Sequence, residues 1–122
     1  MKLATLTKQE LEIMKIVWNR KSATVRDVYE ALREHRQIAY TTVMTMMKIL
    51  EKKKFLKKTQ QERAFVYQPV RPKEQVIRTM VQDFITRVFD GSAEPLLMHL
   101  VKDRHLSEKD VREITRLIRE SK

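Results

Sequence analysis

Residues 40–54 read YTTVMTMMKILEKKK. One helical run carries three threonines, three methionines and, at its end, three consecutive lysines. Threonine is a poor helix former, because its branched side chain loses rotamer freedom against the preceding turn. Helix stability therefore does not account for Thr41, Thr42 and Thr45. Spacing the residues 100° apart sorts the stretch into faces. Val43, Met46, Met47 and Leu50 share one face and are expected to pack on neighbouring helices, the two methionines as core filler. Thr41, Thr45, Lys48 and Lys52 share the opposite face, with Thr42 and Met44 on its flanks.

The polar face has the chemistry of a duplex reader. A threonine hydroxyl donates to or accepts from a base edge, and its methyl meets the thymine methyl. Met44 adds apolar contact to a thymine, and Tyr40 at the helix entrance offers a phenol to a phosphate. The helix N-terminus attracts phosphate through its free amides and dipole. Lys48, Lys52, Lys53, Lys57 and Lys58 supply the counterion-release contribution. Plainer readings exist for the same residues. Thr42 can bond back to its own helix, and the lysine run can be a solvated helix end favoured by the dipole.

Upstream, Thr7 and Glu10 form a capping-box pattern flanked by Leu6 and Leu11 as a hydrophobic staple. Leu11, Met14, Val17 and Trp18 recur at helical spacing, which predicts a helix over 8–20 with Trp18 in the core. A second helix starts at Thr24, with Asp27 three residues on. Val25, Val28, Tyr29 and Leu32 form its apolar stripe, and it ends near Glu34 or His35. EHRQIA then leads to the third helix, about 41–53. Downstream the period changes. FLKKTQ and RAFVYQPV are short and rich in β-formers, and the polar pair Gln61-Glu62 between them predicts a hairpin. Without glycine, a longer mobile loop is expected in place of a tight primed turn. Pro69 and Pro72 end the second strand. Three helices and a hairpin make a winged helix-turn-helix over residues 1–72, with its third helix in the major groove and the hairpin beside the duplex.

From residue 73 the pattern returns to helix. Residues 74–89 carry Val76, Ile77, Met80, Val81, Phe84, Ile85 and Val88 at helical spacing. DGSAEP breaks the run, with Asp90-Gly91 as the stop and Ser92 as a cap for the next helix. Leu96, Leu97, Leu100 and Val101 make that short helix apolar. Ser107 and Asp110 cap a last one bearing Val111, Ile114, Leu117 and Ile118. A segment of about 50 residues rarely builds a sufficient core alone. The expectation for 73–122 is a three-helix dimerisation domain. A second copy would be held through Val76, Met80, Phe84, Val88, Leu97, Leu100, Val111, Ile114, Leu117 and Ile118, burying roughly 1,600 Å² or more. Packing back onto the first domain is the alternative.

Charge follows the same division. The net charge is +10, and residues 1–72 hold 16 Lys/Arg against 7 Asp/Glu, while 73–122 hold 10 against 9. A basic unit joined to a near-neutral one suits a polyanion-binding part and a packing part. The absence of cysteine excludes disulfides, Cys-based zinc sites and thiol catalysis, and fits a reducing cytoplasm. No apolar run approaches the roughly 18 residues of a membrane span, and MKLATLTKQE is too polar for a signal peptide. A cytoplasmic protein without membrane contact is expected. His35, His99 and His105 share no ligand spacing and no Gly-rich phosphate loop is present, so neither enzyme, metal nor cofactor is expected. The competing class is a winged-helix module for RNA or protein assembly, whose basic face would bind without choosing a sequence.

Several of these segments resemble the BlaI/MecI penicillinase-repressor family, over nearly the whole chain. LTKQELEIMKIVW looks like its first helix and TVRDVYEAL its second. AYTTVMTMMKILEKKKFL is similar to its recognition helix and first wing strand. RAFVYQPV resembles the second wing strand, with the family's Arg, Tyr and Pro at Arg63, Tyr67 and Pro69. The resemblance implies a homodimer that binds an inverted-repeat operator in double-stranded DNA and represses transcription. It places Thr41, Thr42, Met44, Thr45 and Lys48 on the reading helix and Arg63 at the wing. Three positions depart from the pattern. Lys54 stands where the family usually has glycine, and Glu62-Arg63 stands where the wing turn commonly has Gly-Arg. Members released by a regulatory protease of the membrane-receptor type carry an Asn-Phe bond where this chain has His99-Leu100. The cysteines of the copper-responsive branch are missing, so the resemblance names no inducing signal.

Overall fold

Thr7 and Glu10 start the fold as a closed pair. The Glu10 amide donates to Thr7 Oγ1 at 3.1 Å, and the Thr7 amide donates to Glu10 Oε1 at 2.8 Å. Helix α1 (Lys8–Arg20) grows from this box, with Leu6 buried beside it. Thr24 and Asp27 repeat the device at 3.0 Å in both directions and open α2 (Val25–Arg33). Then follow α3 (Tyr40–Lys52), β1 (Leu56–Gln61), β2 (Ala64–Pro69), α4 (Lys73–Phe89), α5 (Glu94–Lys102) and α6 (Glu108–Glu120). The computed structural model describes residues 6–103 and 107–120, apart from the side chains of 117, 118 and 120.

The strands pair antiparallel, from Leu56 opposite Pro69 to Gln61 opposite Ala64. That register leaves only Glu62 and Arg63 in the turn, which corrects the expected long loop. Glu62 takes a φ of 54° without being glycine. A left-handed L-residue costs about 1–2 kcal/mol, and the strand ladder on either side of the turn offsets it. An isolated one-residue bridge lies beside this two-stranded sheet. Ala23 and Tyr67 exchange both backbone bonds, at 2.9 and 2.8 Å. This bridge ties the start of α2 to the hairpin.

The corner between α3 and β1 is a Schellman motif. The Phe55 amide bonds the Leu50 carbonyl at 2.9 Å and the Lys54 amide bonds the Glu51 carbonyl at 3.0 Å. Lys54 takes the left-handed position with a φ of 69°. Phe55 and Leu50, the flanking pair, are both buried. A lysine therefore holds the tight corner that glycine usually makes.

Ile13, Met14, Val17, Val28, Val43, Met47 and Leu50 are completely buried. They come from α1, α2 and α3, so the core sits where those helices meet, and each full burial contributes about 1.5–3 kcal/mol. Trp18 is only half-buried, short of the expected core position, and its indole N–H donates to the Arg71 carbonyl at 3.0 Å.

The chain divides into two compact units, Met1–Arg78 and Thr79–Lys122. The division lies within α4, six residues beyond the boundary expected from the prolines. The first turn of α4 falls in the first unit, and Val76 there is 1% exposed. In the second unit, α4 ends at Asp90 and Gly91, both at positive φ, with the Gly91 amide on the Ile85 carbonyl at 3.1 Å. Ala93, not Ser92, is the N-cap of α5, and Pro95 in its first turn supplies the fixed φ that a helix start needs. Ser107 and Asp110 form the expected box at α6, at 3.1 and 3.3 Å.

Candidate nucleic-acid interface

Helices α1 and α2 close their first turns with side chains, and α3 does not. Its N-cap is Ala39, with no side-chain bond. The Thr42 amide turns back to the Ala39 carbonyl at 3.1 Å, so the Tyr40 and Thr41 amides, without a side-chain cap, are the ones that face an external acceptor, and the dipole adds to their pull on an anion. Tyr40, the first helical residue, is 39% exposed and meets Tyr29 edge-on with ring centroids 5.4 Å apart. The Arg33 guanidinium lies 5.6 Å from the Tyr29 ring centroid. This cluster fixes the N-terminal end of α3 against α2.

Along α3 the two faces separate as charge and periodicity require. Tyr40, Thr41, Thr42, Thr45, Lys48 and Lys52 are exposed, and Met44 is half-buried on the flank. Val43, Met47 and Leu50 hold the other face in the core. Met46 is only half-buried and Ile49 is 40% exposed, so the packed face is narrower than the sequence suggested. The helix back-bond falls on Thr45, not Thr42. Thr45 Oγ1 donates to the Thr41 carbonyl at 2.9 Å. The Thr45 hydroxyl proton is therefore spent within the helix, and the methyl and the oxygen lone pairs are what it presents outward.

The hairpin adds charge beside this face. Lys57, Lys58 and Arg63 are all exposed. Strand alternation puts Lys57 and Lys58 on opposite faces of the sheet. The Lys58 ammonium sits 4.6 Å from the centroid of the Phe65 ring, which is 52% exposed. Phe65 was absent from the sequence-derived site; its place next to a lysine on the same strand face is visible only once the register is known.

Lys53 departs from the sequence reading. Its ammonium bonds both carboxylate oxygens of Glu10, at 2.9 and 3.0 Å, and so is held by α1. Glu10 is 4% exposed. Burial alone would raise its pKa, but the Thr7 amide and then the Lys53 ammonium outweigh burial and hold the carboxyl below its usual range. At the sheet, burial and then the Glu51 carboxylate push the Tyr67 phenol up, so Tyr67 stays neutral.

The residues expected at a dimer contact scatter in exposure. Val76 is 1% exposed and is unavailable to a second chain in this conformation. Met80, Leu97, Leu100, Val111 and Ile114 are half-buried, and Phe84 and Val88 are 41% and 53% exposed. The side chains of Leu117 and Ile118 lie outside the described residues. Val81, Met98 and Val101, which the helical spacing does not assign to this contact, are also at least 40% exposed. His99 and Leu100 lie inside α5, with the His99 ring 6.5 Å from that of Phe89. His105 lies outside the described residues. Among the described residues, no group of three His, Cys, Asp or Glu side chains could hold a metal ion. No described helix is long and apolar enough to cross a membrane.

Comparison with known proteins agrees with this geometry. The penicillinase repressor family model matches residues 6–120. The transcriptional regulator BlaI of Mycobacterium tuberculosis is 35% identical over 111 residues, covering 89% of this chain and 80% of that protein. The penicillinase repressor of Bacillus licheniformis is 26% identical over 121 residues, covering 99% and 94%. Among solved structures, the monomeric form of Bacillus licheniformis BlaI in complex with the blaP half-operator superposes with a TM-score of 0.53 at 30% identity, covering 60% of this chain and 89% of that one. The DNA binding domain of the repressor BlaI gives 0.53 at 31% identity, covering 60% and 90%. With an uncapped, threonine-lined helix beside a basic wing, and with a family match that runs from the first helix to the last, the chain belongs to the penicillinase repressor family.

Proposed function

We propose that this protein is a homodimeric transcriptional repressor that binds an inverted-repeat DNA operator. The observation that carries this is the exposed face of α3: Tyr40, Thr41, Thr42, Thr45, Lys48 and Lys52 stand free of the core on a helix whose N-terminus has no side-chain cap. Each α3 would enter a major groove, Thr41, Thr42, Met44 and Thr45 facing bases and Tyr40, Lys48 and Lys52 facing phosphates. Lys57, Lys58 and Arg63 on the wing would neutralise flanking phosphates. The solved relative bound to a half-operator supports a site built of two halves.

Dimerisation is supported by the apolar surface of the second unit. Val81, Phe84, Val88, Met98 and Val101 are each at least 40% exposed there, and apolar patches of this kind mark association sites. A second copy is the partner that a two-fold operator requires. The bond at His99-Leu100 is helical, so a regulatory protease acting there would first need α5 to unwind.

Selection of the full chain against a random duplex pool tests the reading. Recovery of one inverted repeat is expected. Diffuse, salt-sensitive binding without a preferred sequence would instead favour an RNA or protein-assembly module.

A further inference from the structure

Three of the lysines following Met47 look alike in sequence and differ in the structure. Lys48 and Lys52, four residues apart, are exposed on the outer stripe of α3. Lys53 is the C-cap of the same helix, with a φ of −75°, and turns to the opposite side. Its ammonium makes two bonds to Glu10, across 43 residues of sequence. The Glu10 side chain is 6% exposed and that of Lys53 is 29% exposed. Glu10 is also the third residue of α1, locked to the Thr7 amide by the capping box. A carboxylate fixed by its own helix cap is a rigid anchor, because its rotamer is set before the lysine arrives.

The other end of α3 has an anchor of its own, the Tyr29–Tyr40 ring contact at 5.4 Å. The helix is therefore held to α2 at its start and to α1 at its end. A helix of 13 residues is about 20 Å long, so a small tilt at one end moves the side chains at the other by an ångström or more.

We propose that Lys53 is a positioning residue for DNA reading: through Glu10 it sets the aim of α3 and does not touch the duplex. This rests on the DNA-binding function proposed above. Lys53 then belongs to the machinery of sequence choice, whereas Lys48 and Lys52 belong to that of overall affinity.

The test uses the full-length chain, a duplex it selects from a random pool, and an unselected duplex of equal length. Affinities for both are measured over a range of salt, with thermal unfolding confirming that each variant is folded. Lys53→Met is expected to leave affinity for the unselected duplex and its salt slope unchanged. Preference for the selected duplex falls roughly fivefold or more, the size of losing one base-pair contact. Glu10→Gln is expected to lose the same preference, although it makes the protein more positive. The double variant is no worse than either single one, because each removes the same ion pair. Lys53→Arg, which keeps a cation for Glu10, retains the preference. Should Lys53→Met not fold, Lys53→Gln keeps a donor to Glu10 and still reports the slope.

A salt slope flattened by about one unit in Lys53→Met or Lys53→Gln would make Lys53 a phosphate contact and overturn the proposal. Unchanged preference in both Lys53→Met and Glu10→Gln would overturn it as well, reducing the pair to a fold contact. Failure of the wild-type chain to select any sequence is a separate result: it sinks the DNA-reading function and this proposal with it.

Discussion

The Thr45 hydroxyl donates to the Thr41 carbonyl, 2.9 Å away within one turn of α3. With its proton committed, Thr45 presents a methyl group and an oxygen acceptor to a duplex. Because the hydroxyl is tied back along the helix, the methyl is the group expected to meet a base.

Thr45→Val should therefore retain affinity for the selected duplex, since it keeps that methyl. Thr45→Ala and Thr45→Ser should each lose about 1–3 kcal/mol and relax one base position. Competition binding against the selected duplex and its single-base variants checks this. Retention by Ser with loss by Val would make the oxygen the reading group.

Lys57 is exposed on the first wing strand with no place in the core. Lys57→Ala should weaken selected and unselected duplexes alike and flatten the salt slope by about one unit. A loss confined to the selected duplex would move Lys57 among the base-reading residues.

Lys54 occupies the left-handed position of a Schellman corner, at a φ of 69°. Glycine there should raise stability by about 0.5–1 kcal/mol, the relief of strain less the entropy glycine loses on folding. Lys48→Gly, six residues earlier and inside regular helix, should lower it by about 1 kcal/mol. Urea unfolding of both variants checks the contrast, and a destabilised Lys54→Gly would contradict it.

The Glu10 carboxyl is held below its ordinary value of 4.5 in the folded chain. A lowered folded pKa stabilises the fold above the unfolded value, and that contribution is lost as the pH falls through the folded one. The stability gap between wild type and Glu10→Gln should thus be flat from neutral pH to about 5.5 and shrink below it. Urea unfolding at a series of pH values measures the gap. A gap that grows on acidification would have the wrong sign for a carboxylate stabilised by Lys53.

How much of this was legible in the sequence depends on the range of the forces involved. The helix starts at Thr7 and Thr24 were readable because a capping box is a contact between residues three apart. The outer face of α3 was readable because helical period alone separates Thr41, Thr45, Lys48 and Lys52 from Val43, Met47 and Leu50. The two-residue wing turn was missed because the ladder from Leu56 to Gln61 outweighs the local cost of a non-glycine at Glu62. The Ala23–Tyr67 bridge is one residue long and has no alternation to detect. Lys53 was grouped with its neighbours because the partner that removes it from the basic face lies 43 residues away. Prolines mark the end of a strand and carry no information on where a helix that follows passes from one compact unit to the next, here between Arg78 and Thr79.

Repression from an inverted repeat requires two copies of α3 on one duplex. Hydroxyl-radical footprinting of the full-length chain on its selected duplex measures this most directly. Two protected segments related by a two-fold axis, with centres about 10 bp or a multiple of that apart, are expected. A single protected segment at saturation, or uniform protection along the duplex, would contradict it.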